Sequence, residues 1–129
     1  MRFCIKTLAA TTLSVMWISA ASSVISGKPM KLKPGVSAKG IQPEMALGLA
    51  ICDSIYSKHG IEMVVTAITD GRHSPGSLHY VGLAADLRTN NVPADKLKTL
   101  EVALQDALQA QFDVILESDH FHVEFQPKS

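Results

Sequence analysis

Residues 112–125, FDVILESDHFHVEF, constrain the fold more than any other part of the chain. Apolar and polar positions alternate on both sides of Ser118–Asp119, as in two strands joined by a tight turn. A two-residue turn at Ser118–Asp119 sets Glu117 opposite His120 and Ile115 opposite His122. Side chains two apart on a strand share a face. Glu117, His120 and His122 then point one way, and Val114, Leu116, Phe121 and Val123 point the other, toward a core. A longer turn relaxes this geometry and brings Asp119 into play.

The segments before this hairpin supply its partners. Pro43 suits a first helical turn, and Met45, Leu49, Cys52 and Tyr56 form one stripe after it. Leu47, Ile51 and Ile55 widen that stripe, predicting a largely buried helix that ends at Gly60. IEMVVTAIT (61–69) reads as a buried strand, DGRHSPGS (70–77) as a loop, and YVGLAADLRT (80–89) as a strand running through Asp86. NNVPADK opens a second helix, with Asn91 as a cap. Leu97, Leu100, Leu104 and Leu108, with Val102 and Ala103 beside them, form its apolar face, and it ends near Ala110. KLKPGVSAKGI (31–41) reads as an irregular lead-in. The order α, β, β, α, β, β predicts a small α+β domain with an antiparallel sheet and two main helices. No repeat or linker divides residues 30–129. Aromatics are only 5% of the chain, so the core is expected to be mainly aliphatic.

Residues 1–29 differ in character. A short basic start precedes an uncharged run from Thr7 to Gly27, with small residues at Ser19, Ala20 and Ala21. An export signal is the favoured reading. The alternatives are a retained membrane anchor through residues 7–27, and a true start at Met30 with a mis-assigned extension upstream. Export implies the periplasm or cell envelope. A Met30 start implies a cytoplasmic or phage-associated protein. Cys4 lies in this segment, leaving Cys52 alone in the first helix, where a buried free thiol is expected. Twelve basic residues balance twelve acidic ones, but Arg2, Lys6 and Lys28 precede Met30 and no acidic residue does. The remainder is acidic by about three charges. With no basic stripe, nucleic-acid binding has no electrostatic support, and a monomer is expected.

The histidines carry the chemistry. SLHYVGLAAD (77–86) sets His79 seven positions before Asp86, and the hairpin adds His120 and His122 with Glu117 beside them. A catalytic zinc site has three protein ligands and an open position for water. His79 and Asp86 could supply two of these ligands and the hairpin the third. The metal lowers the pKa of its water to about 7 in well-tuned sites, and a nearby carboxylate, here Glu117, accepts the proton. Taken singly, His79 is an ordinary histidine and Asp86 a turn or capping residue. The combination of two short segments, each pairing histidine with a carboxylate, is what points to a metal. His59 and His73 read as helix-end and loop residues.

SLHYVGLAAD resembles the SxHxxGxAxD signature of the zinc D-Ala-D-Ala carboxypeptidase family, the VanY-like and endolysin-like peptidoglycan peptidases. ESDHFHVEF resembles that family's closing ExxHxH element and the zinc hairpin of hedgehog signalling domains, which share the fold. The likeness is closest to small single-domain phage and bacterial members and spans about residues 30–127. It implies one Zn2+ per chain, held by His79, Asp86 and His122. It also implies Glu117 as general base, His120 as a group stabilising the tetrahedral intermediate, and Ser77 as support for the ligand loop. Gly82 and Ala84 keep the backbone close and leave room around the metal. Arg72 corresponds to the arginine that binds a substrate carboxylate or the oxyanion; otherwise it is a solvated loop charge. Some relatives place the base three positions before the last zinc histidine, which makes Asp119 the alternative base.

The expected activity is hydrolysis of an amide bond in a peptidoglycan stem peptide, as a D,D-carboxypeptidase or an L,D-endopeptidase. The rivals are a non-catalytic zinc-binding module of the same fold and a phage structural or lysis-associated protein without zinc.

Overall fold

The computed structural model describes residues 27–128. The expected export segment, apart from its last residues, lies outside them, as does Cys4. Among the described residues no helix is long and apolar enough to cross a membrane.

The first helix, α1 (Pro43–Lys58), begins at the proline, whose missing N–H costs nothing in a first turn. It buries the predicted stripe of Met45, Leu49, Cys52 and Tyr56, and Gly48 with it. The stripe is narrower than expected: Ile51 and Ile55 are only partly buried and Leu47 is 63% exposed. Gly48 has no side chain because the Phe112 ring lies where one would go, with Cε1 2.6 Å from the place of a Cβ. The helix stops two residues before Gly60, whose φ of +69° turns the chain out. Burial raises the Cys52 thiol to about 12, the state of an inert core cysteine.

Two segments that follow are shorter than expected. Of residues 61–69, only Val64–Ala67 pairs, as β2. β1 is Lys31–Leu32, in the predicted lead-in; it lies parallel to β2, with Lys31 N–H donating to Met63 O at 2.9 Å. Its parallel sense follows from the α1 crossover between them. The sheet is therefore mixed rather than antiparallel. Residues 78–81 are not strand either. They form a 3-10 turn that Gly82 closes at φ +76°, and β3 runs only from Ala84 to Arg88.

A second 3-10 turn, Ala94–Lys96, leads into α2 (Leu97–Leu108), which buries Leu100, Leu104 and Leu108 and leaves Val102 about half exposed. Asn91 does not cap this helix; its Nδ2–H donates to Glu62 O at 2.8 Å and ties the loop to the segment between α1 and β2. β4 (Phe112–Leu116) and β5 (His120–Phe125) form the predicted hairpin in the predicted register, with Ile115 opposite His122. Glu117 N–H donates to His120 O at 2.8 Å, which closes the turn.

The result is an α+β domain with a five-stranded sheet in the order β1-β2-β3-β5-β4. The helices cover one face, where Val65, Ala85, Leu87, Val114, Phe121 and Val123 join the helical core. The other face stays open. Alternation puts Asp86 from β3 and His120, His122 and Glu124 from β5 on that face.

Candidate metal centre

β3 and β5 pair with Asp86 directly opposite His122 and Arg88 opposite His120. His79 enters from the 3-10 turn. Ser77 Oγ accepts from His79 N–H at 3.3 Å, so Ser77 supports the turn that carries the histidine. The His79 ring is buried, and its Nδ1–H donates to Ile68 O at 2.6 Å. A β-bulge between Val65 and Ala67 interrupts the ladder just before Ile68. Asp70 Oδ1 then accepts from both Ile68 N–H at 3.0 Å and Ser37 N–H at 2.9 Å, holding the carbonyl's neighbourhood in place.

Three imidazoles surround one carboxylate oxygen. Asp86 Oδ1 lies 3.2 Å from His79 Nε2, 3.0 Å from His122 Nδ1 and 3.5 Å from His120 Nε2. The far nitrogen of each ring also faces an oxygen: Ile68 O for His79, Glu124 Oε2 at 3.0 Å for His122, and Asp119 Oδ1 at 2.7 Å for His120. A neutral imidazole has one donor and one lone pair. Here both nitrogens of every ring face acceptors. That can be met by imidazolium ions paired with the neighbouring carboxylates, or by a cation that takes ring lone pairs beside Asp86. The donor set fits a divalent metal ion: Asp86, His120 and His122 bring ligand atoms close enough to share one, and so do His73, His79 and Asp86.

Without an ion the carboxylate and the imidazoles shift one another as ion-pair partners. Burial alone would raise the Asp86 carboxyl, but hydrogen bonds from His122 and His79 outweigh it and hold the group well below the usual carboxylate range. Without metal, His122 is pushed up to about 9 by its bond to Asp86, aided by Glu124, against the opposing effect of burial.

His73, read from sequence as a plain loop residue, stacks on His79 with ring centroids 3.8 Å apart and planes 8° from parallel. Its nitrogens fall close enough to His79 and Asp86 for a shared ion. Parallel stacked rings, however, carry parallel in-plane lone pairs, which do not converge on one ion. His73 is therefore a wall of the centre, held by its Nε2–H to Asp70 O at 2.8 Å and by Tyr80, whose hydroxyl accepts from His73 N–H and donates to His73 O. Nothing in the spacing of His73 marks this role. Glu124 stands in the same sequence cluster but has no role in the sequence reading, although the period-two argument that places His120 and His122 on one face applies equally to it.

The centre forms the floor of a groove of about 740 Å³, which Arg72, Ser77 and Glu117 also line. Glu117 is half exposed, with Oε2 3.4 Å from His120 Nε2. Asp119 does not line the groove; its side chain is 82% exposed and is engaged with His120. His59 is a helix-end residue as expected, with its ring against Ile55 O.

No family model matches the chain, and no solved structure matches it.

Proposed function

We propose that the chain is a zinc-dependent peptidase that hydrolyses an amide bond in peptidoglycan stem peptides, by removing a terminal D-alanine or by cutting within the stem. The observation that carries this reading is the ring of acceptors. His79 Nε2 and His122 Nδ1 both face Asp86 Oδ1 while their other nitrogens face Ile68 O and Glu124, and this point lies on a groove of about 740 Å³. The ligands in this reading are His79 through Nε2, Asp86, and His122 through Nδ1. Bound zinc would polarise the scissile carbonyl and acidify a water.

The remaining chemistry belongs to the chain's own groups. Glu117, solvated and on the groove, accepts the proton of the attacking water and passes it to the leaving amine. In this reading His120 and Arg72, which both line the groove, stabilise the developing oxyanion. Asp119 holds the His120 ring through Nδ1 and is an orienting group in this scheme rather than the base. An exported or lysis-associated protein would meet such a substrate.

The test is metal analysis of the purified full chain and of His79→Ala, followed by digestion of peptidoglycan fragments with the parent and Glu117→Gln. The expected result is about one zinc per parent chain, loss of zinc in His79→Ala, and hydrolysis by the parent. Glu117→Gln should keep its zinc and lose the activity. No zinc after reconstitution overturns the proposal, and full activity in Glu117→Gln moves the base elsewhere. One observation favours a second reading, a non-catalytic zinc module. His120 Nε2, only 3.5 Å from Asp86 Oδ1, offers a fourth protein ligand, and a four-ligand site leaves no position for water. Stoichiometric zinc without hydrolysis would select that reading.

A further inference from the structure

We infer that Glu124 is a positioning residue: by accepting a hydrogen bond from His122 Nε2–H, it leaves the Nδ1 lone pair as the ligand. The inference rests on the metal-site reading above and concerns a residue beyond the ExxHxH positions of the hairpin.

An imidazole can offer either nitrogen to a metal, and the partner of the other nitrogen decides which. For His79 that partner is the Ile68 carbonyl, a backbone group. For His120 it is Asp119, whose side chain is 82% exposed and competes with water for the ring. For His122 it is Glu124 Oε2 at 3.0 Å, on a side chain only 20% exposed. Glu124 follows His122 by two residues on β5, so strand geometry places the two side chains on the same face, and Glu124 lies opposite Ala84 on β3. The small Ala84 crowds neither group. Without the carboxylate, the His122 ring is free to flip, or to carry its proton on Nδ1 and present no lone pair to an ion beside Asp86. A charge at the groove rim with no orienting role would act on the metal only through its field.

The full chain, Glu124→Ala and Glu124→Gln are titrated with zinc alone against a chromophoric chelator, and the His122 ring is followed by nitrogen NMR in the zinc-loaded state. Glu124→Ala should weaken zinc binding by about 10–100-fold. Glu124→Gln, whose side-chain oxygen also accepts from Nε2–H, should restore most of the affinity. The parent ring should carry its proton on Nε2. Parent-like affinity in Glu124→Ala overturns the inference and leaves the metal site standing. Glutamine behaving like alanine also overturns it, because charge rather than the hydrogen bond would then be responsible. Absence of zinc binding by the parent overturns the metal-site reading and this inference with it.

Discussion

Replacing Gly82 by alanine should be among the most damaging single-methyl changes the chain can suffer. Gly82 ends the 3-10 turn that carries His79, at φ +76° and ψ 23°. A β-carbon there would lie 2.1 Å from Gly40 O, 2.9 Å from Gly40 C and 2.9 Å from Ile41 Cα. All three are backbone atoms, so no side-chain rotation relieves the clash. Ordinary contact begins near 3.4 Å, so one of the two segments must move by more than an ångström. That movement pulls on two hydrogen bonds, Gln42 N–H to Gly82 O at 3.0 Å and Gly82 N–H to His79 O at 3.1 Å. The left-handed backbone costs an L-residue roughly 1–2 kcal/mol. Overpacking adds about 1–3 kcal/mol, and a weakened hydrogen bond about 1 kcal/mol. The total, roughly 3–6 kcal/mol, is a large part of the ~5–15 kcal/mol that holds a domain folded. Gly60→Ala is the control: its φ is +69°, and nothing lies within 4 Å of its β-carbon position, so it incurs only the backbone cost. Urea unfolding of both variants and the parent, compared at unchanged m-value, isolates the clash. A difference between the two variants below about 1 kcal/mol would refute the close-approach argument, because overpacking alone should exceed it.

Two further outcomes follow from the same structure. Gln105 on α2 caps the outer edge of β4, accepting from Val114 N–H and donating to Phe112 O, both at 2.9 Å. Gln105→Ala should lower the unfolding free energy by about 2–3 kcal/mol and promote concentration-dependent self-association through the uncapped edge; unchanged stability in urea and light scattering would count against it. In metal-free protein the raised His122 contributes stability that is fully present below its ordinary 6.5 and is lost as pH rises through about 9. The melting temperature in chelator should therefore fall over that window, and a flat profile would show that the ring is not held as a cation between Asp86 and Glu124.

The elements legible in the sequence are those whose packing is written in their own periodicity. Met45, Leu49, Cys52 and Tyr56 recur at helical spacing and are buried together, and Val114, Phe121 and Val123 alternate and reach the core. β1 was not legible. Two residues next to Pro34 and Gly35 carry no strand pattern, and what places them is the backbone of β2 together with the crossover of α1. The 3-10 turn at Leu78–Val81 was hidden for a related reason. Tyr80, Val81 and Leu83 have strand-like composition, but Ser77 caps the turn and Gly82 reverses it, so local hydrogen bonds prevail over propensity.

The site was partly legible for a reason that lies on the opposite face of the sheet. Alternation assigns Asp86, His120 and His122 to the open face, but that alone does not make them meet. They meet because Asp86 pairs with His122 across β3 and β5, and this register is fixed by Ala85, Leu87, Phe121 and Val123 beneath them. A slip of one residue would turn the apolar set out to water and drive Asp86 and the histidines into the core. The hydrophobic pattern that folds the domain therefore also sets which imidazole faces which carboxylate oxygen. What the pattern does not carry is the orientation of each ring. The Ile68 carbonyl, which follows a bulge, reaches His79 from eleven residues earlier across a loop held by Asp70, and His73 arrives on that loop to stack against the ring. Core packing brings the donors together. The contacts behind each ring, Ile68 O, Glu124 and Asp119, decide which nitrogen is offered, and only the last two stand beside the histidines in the chain.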